Sequence, residues 1–102
     1  MKKTIAILVN ETVRYPKRAI GYSMDQHCVY EAFDSYAKAL DAMAEEYNSF
    51  ASERVFKQET IKHAEMSEPG SIEPYGVIEY IDSEGVYLAE RFSVECIDLD
   101  VS

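Results

Sequence analysis

The chain has 102 residues, 47% of them apolar and 28% charged, with 19 acids against 10 bases and a net charge of −9. That length supports one hydrophobic core and not two, the composition is that of a folded chain, and no run approaches the about 20 apolar residues of a membrane span. The surplus negative charge repels phosphate, which sets nucleic acid and membrane surfaces aside as direct ligands.

In chain order, Met1-Lys2-Lys3 and the apolar run after it imitate the start of a secretory leader. Asn10 and Glu11 cut that run short and no small-residue cleavage site follows, so the expected location is cytoplasmic. Residues 4–10 instead predict a central strand covered on both faces, with Ile5, Ile7 and Val9 on one parity and Ala6 and Leu8 on the other. Residues 19–33 alternate and place Ile20, Tyr22, Met24, Cys28, Tyr30 and Ala32 on one side, with a turn at Asp25-Gln26 dividing them into two strands. A rival reading starts the following helix at Ser23, which forms a capping box with Gln26.

Tyr36, Leu40, Met43, Tyr47 and Phe50 recur every three or four residues, with Asp41, Glu45, Glu46 and Ser49 opposite. This is an amphipathic helix, with Asp34 as its N-cap and four alanines that permit close approach to a sheet. Residues 54–66 carry only a thin alternation and are read as a strand. Residues 76–82 and 86–99 predict two more strands, joined by a hairpin at Ser83-Glu84-Gly85 in which Gly85 is free to take a left-handed conformation. Val86, Leu88, Phe92, Val94 and Cys96 share one face while Ile97, Leu99 and Val101 fall on the other parity, so a β-bulge is expected near Cys96-Ile97. The whole, residues 1–102, is a single α+β domain: an antiparallel sheet of about five or six strands with one long amphipathic helix packed on one face.

Chemistry-bearing residues are sparse. Cys28 and Cys96 have no paired spacing and read as reduced core thiols. With His27 and His63 they supply zinc-type ligands, but not at the spacing of two to five residues that structural sites use. Cys28 beside His63 is the one nucleophile–base pairing available, and no glycine-rich turn presents either residue. The four glycines are isolated, so no phosphate cradle is present. No catalytic centre, metal or cofactor is expected.

Charge placement says more. The first 18 residues carry five bases against Glu11, whereas ten acids face the single base Arg91 from Glu65 to Asp100. Asp34, Asp41 and Glu45 fall on the outer side of the helix, and Asp82, Glu84, Glu90 and Glu95 on the C-terminal hairpin. Together they are the candidate acidic binding face, with Tyr75 and Tyr87 as aromatic anchors. The matching partner is a basic protein surface, including one that handles nucleic acid, or the basic start of a second copy of this chain.

The strand–helix junction Val29-Tyr30-Glu31-Ala32-Phe33-Asp34-Ser35-Tyr36, followed by Ala39, Ala42 and Met43, joins with the closing segment Phe92-Ser93-Val94-Glu95-Cys96-Ile97-Asp98-Leu99-Asp100. In size, charge and this junction the chain resembles small acidic accessory proteins of phages and mobile elements. The resemblance covers about a third of the chain. It implies an anti-defence inhibitor of the anti-CRISPR or DNA-mimic type, acting in a host cytoplasm, and carries over no functional residue. The alternatives are a small-molecule or nucleotide-binding module around residues 69–76, or an oligomeric structural protein.

Overall fold

The computed structural model describes residues 2–15 and 25–100. Five strands and one helix occur in the order β1 (Lys2–Tyr15), β2 (Asp25–Phe33), α1 (Tyr36–Phe56), β3 (Thr60–Met66), β4 (Tyr75–Ile81) and β5 (Tyr87–Asp100). They form one antiparallel sheet in the spatial order β2-β1-β5-β4-β3, with α1 packed on one face. The expected fold class is therefore the observed one.

The route explains the topology. β1 and β2 pair at one side, α1 crosses the sheet to the far edge, and β3 and β4 bring the chain back so that β5 enters the middle. β1 and β5 pair along their whole length, from Lys2 opposite Asp100 to Tyr15 opposite Tyr87. β1 thus runs well past Asn10 and Glu11, which the sequence suggested as its end. Asn10 and Thr12 stay in the strand because both donate hydrogen bonds to the Glu90 carboxylate, at 2.6 Å and 2.8 Å.

Strand alternation sorts the residues onto two faces. Ala6 and Leu8 of β1, Ile78 and Tyr80 of β4, and Phe92 and Val94 of β5 meet Ala39 and Met43 of α1 in the buried core. Burying a side chain the size of Leu8 or Ile78 is worth about 1.5–3 kcal/mol each. Tyr47, Phe92, Phe50 and Tyr80 form a chain of edge-to-face ring contacts with centroids 5.5–6.4 Å apart. Gly76 is required beneath them, because a Cβ there would lie 2.9 Å from Tyr47 Cδ2.

The sequence reading expected β1 to be covered on both faces. Among the described residues no further element packs on the second face, where Ile5, Ile7 and Val9 are half-buried and Val13 and Ala89 are buried, and β1 is next to the central strand, which is β5. No turn occurs at Asp25-Gln26, which pair with Arg14 and Val13 inside β2; this also removes the helix start at Ser23, a residue outside those described. Cys28, Tyr30 and Ala32 do share one face, the uncovered one, while Ile20, Tyr22 and Met24 lie outside the described residues. The bulge expected at Cys96-Ile97 is absent, since Ala6–Cys96 and Ile5–Ile97 pair in unbroken register; the irregularity falls in β3, between Ile61 and His63.

Helix α1 is capped by Ser35, not Asp34: the Ser35 hydroxyl accepts from the Lys38 N–H at 3.2 Å, and Asp34 pairs with the Lys38 ammonium at 2.9 Å. Tyr36 is 38% exposed, so the buried stripe starts at Ala39. The helix runs on to Phe56, taking residues that the sequence read as strand, and closes in a Schellman motif. Gln58 adopts a left-handed φ of 59°, its N–H bonds Val55 O, and the Glu59 N–H bonds Arg54 O. The β4–β5 turn forms as expected, with Gly85 at φ 79° and the Asp82 carboxylate accepting from the N–H groups of Glu84 and Val86 at 2.9 Å each.

Candidate functional site

The seven acids singled out in the sequence do not gather into one face. Asp34 is exposed, and the hydrogen bond and charge of Lys38 hold its carboxyl below the usual range. Asp41 and Glu45 lie exposed one turn apart on α1. Asp82 is used to tie the hairpin turn, and Glu84 is exposed within that turn. Glu95 is exposed on the uncovered face of the sheet, opposite Ile7. Glu90, expected to face outward, is instead 4% exposed beneath α1, where it accepts from Asn10 and Thr12. The reason is parity: Glu90 pairs across from Thr12 and Ile78 on the helix side of the sheet.

Both aromatic anchors sit on the uncovered face. The Tyr75 hydroxyl donates to Glu65 at 2.9 Å, and that bond raises its pKa. Tyr87 packs edge-to-face on Tyr15 at 5.5 Å and donates to Glu79 at 2.6 Å, which raises it likewise. Arg91 lies 3.7 Å from Glu11 on the same face.

The potential nucleophile and base are far apart. Cys28 belongs to β2 and His63 to β3, the opposite edges of the sheet, so at about 4.8 Å per strand their backbones are separated by roughly 19 Å. His63 contacts Glu65 at 3.3 Å, and Cys28 lies 3.8 Å from Glu11. Both cysteines are free, as expected, but neither is a core thiol: Cys28 is half-buried and Cys96 exposed. Among the described residues no three His, Cys, Asp or Glu side chains are gathered as metal ligands.

A groove of about 520 Å³ lies elsewhere, between α1 and the β2 side of the sheet. Its floor is mostly apolar, formed by Leu8, Val29, Phe33, Ala42, Phe50 and Phe92, with the polar Asn10 of β1 among them. Glu31 from β2 forms one wall, and Glu45, Glu46, Ser49 and Glu53 from α1 form the other. Glu53 is ion-paired to Lys57 at 2.9 Å, whereas Glu31, Glu45 and Glu46 have no cationic partner among the described residues. Burial pushes the Glu46 carboxyl up, and the charges of Glu31 and Glu45 push it further. Of these wall residues the sequence places only Glu45 in the candidate acidic binding face; Glu46 and Ser49 read as the polar side of the helix. The helix signal was present in the spacing of Ala42, Glu46, Ser49 and Glu53, one stripe along the flank of α1, but nothing local placed Glu31 across from it.

The chain matches no protein-family model, and neither a curated protein nor a solved structure is significantly similar to it. Among the described residues no helix is long and apolar enough to cross a membrane.

Proposed function

We propose that this protein is a non-catalytic acidic binding protein that occludes a basic surface on a larger partner. The observation that carries the reading is the groove beside α1, where three carboxylates without cationic partners among the described residues border a mostly apolar floor. The Glu46 carboxyl is already raised by burial and by like charge, so a cation arriving there relieves repulsion that the free protein carries. The net charge of −9 adds long-range steering toward a positive partner, and the same charge disfavours a nucleotide ligand. A basic surface that ordinarily holds nucleic acid has the matching chemistry, which is the sense in which an inhibitor of a nucleic-acid-handling defence machine fits this chain.

The test is pull-down of basic nucleic-acid-binding proteins at increasing salt, with the triple variant Glu31→Gln/Glu45→Gln/Glu46→Gln as comparison. Capture should weaken strongly between about 0.05 and 0.5 M salt, where the Debye length shrinks from more than 10 Å to a few Å. It should also yield to added heparin and be lost in the folded triple variant. Capture indifferent to salt and to the three substitutions refutes the reading.

A further inference from the structure

We infer that the groove beside α1 is a seat for one basic amphipathic α-helix of the partner, an inference that rests on the acidic-occlusion reading and names the element it acts on. The starting point is incomplete cover rather than charge. Five strands at about 4.8 Å span roughly 19 Å between the outer strands, and one helix is about 10 Å across. Because α1 starts at the β2 edge and ends at the β3 edge, it crosses the sheet obliquely. Among the described residues, nothing covers the corner of β2 and β1 away from the helix start on the side that carries the core. Val29, which points to that side opposite Asn10, is 51% exposed, and Phe33 and Phe50 are only half-buried.

The dimensions suit a helix. From Val29 to Phe33 β2 advances about 13 Å, and from Ala42 to Glu53 α1 advances about 16 Å, equal to three helical turns. The charge pattern suits one too. Carboxylates stand on both sides of the mostly apolar floor, Glu31 on the strand wall and Glu45 and Glu46 on the helix wall. An incoming helix with an apolar stripe downward and Lys or Arg on both flanks satisfies floor and walls together. A strand added to the edge of β2 would place alternate side chains on both faces of the sheet and leave the floor open. A second copy of this chain offers α1 as its amphipathic helix, and α1 carries the same acids as the walls.

The probe is a synthetic peptide of about 18 residues with a leucine stripe flanked by lysines, compared with a scrambled peptide of the same composition and charge. On mixing with the full chain, the patterned peptide should gain helical circular dichroism. It should perturb the NMR amide signals of Val29, Glu31, Ala42, Glu46 and Ser49, and bind at least about tenfold more tightly than the scramble. Ser49→Trp, which fills the groove from an exposed helix position without altering charge, should weaken it by about tenfold or more. Equal binding of the scramble, perturbation confined to the uncovered sheet face, a gain of strand signal, or indifference to Ser49→Trp overturns the inference. If cationic proteins are still captured in a salt-dependent way that needs Glu31, Glu45 and Glu46 while the patterned peptide fails these criteria, the helix seat falls and the occlusion reading stands. If capture ignores those acids as well, both fall.

Discussion

Arg54 ties together the end of α1, the aromatic core and the start of β3. Its guanidinium lies 4.4 Å from the Phe50 ring centre and 5.1 Å from that of Tyr80, and one Nη is 3.1 Å from Glu59, whose side chain is 6% exposed. In a Schellman closure the residues at these two positions commonly make an apolar contact; here they make an ion pair instead. Arg54 Nε is buried without a hydrogen-bond partner, so the pair is held in imperfect geometry. Removing the cation alone strands a buried carboxylate, and Arg54→Met should lower stability to urea by about 3–5 kcal/mol. The double variant Arg54→Met/Glu59→Leu should recover most of that loss, since an apolar pair fits the site without desolvating charge. A double variant as unstable as Arg54→Met would show that the rings, not the carboxylate, depend on Arg54.

At the scale of elements, α1 shows what local chemistry reveals and what it conceals. The helix was legible because Leu40, Met43, Tyr47 and Phe50 repeat with its period. Its start was displaced by one residue because Asp34 and Ser35 are both capable caps, and only the structure shows Lys38 occupying Asp34. Its end was hidden: the left-handed residue that terminates it is Gln58, not the glycine that would have announced it. The crowded carboxylates along its flank carry a pH signature. Burial and the charges of Glu31 and Glu45 raise Glu46, so the folded state keeps that proton to a higher pH than the unfolded chain. Between the unfolded value and the raised one, the folded state binds more protons, and this group's contribution to stability falls as pH rises. Glu46→Gln should therefore be the more stable protein at neutral pH. Its advantage should shrink as pH drops through that window and be gone below about 4.3, where both states hold the proton. Thermal unfolding across that range measures the difference, and a constant offset between the two proteins would contradict the shift. The α1 variant also reports on function, because a cation seated beside Glu46 lowers its pKa and expels the proton, so partner binding should strengthen with pH through the same window.

At the scale of the molecule, the antiparallel sheet and its helix could be read from alternation and periodicity, whereas the groove could not. It arises from the angle at which α1 crosses five strands, and no local pattern encodes that angle. Parity errors had the same origin. The late residues Ile97 and Leu99 suggested a bulge because a single buried face was assumed, but the second face of this sheet also carries Ile5, Ile7 and Val77. The dispersal of Asp82, Glu90 and Glu95 to turn, core and far face follows from that alternation too.

The strand order has one further consequence, for synthesis. β5 is the last of the six described elements in chain order and also the central strand, pairing with β1 on one side and β4 on the other. A nascent chain that ends before Tyr87 therefore has two separate strand pairs and no seam to join them, so the fold must wait on the ribosome for its keystone. Such a fragment should show little ordered structure alone and regain the native spectrum when a free peptide spanning Tyr87–Asp100 is supplied in trans. With β1 closing against β5, folding should also be slow for a domain of this size, on the order of milliseconds to seconds, and exposed to chaperones and proteases until β5 has been made.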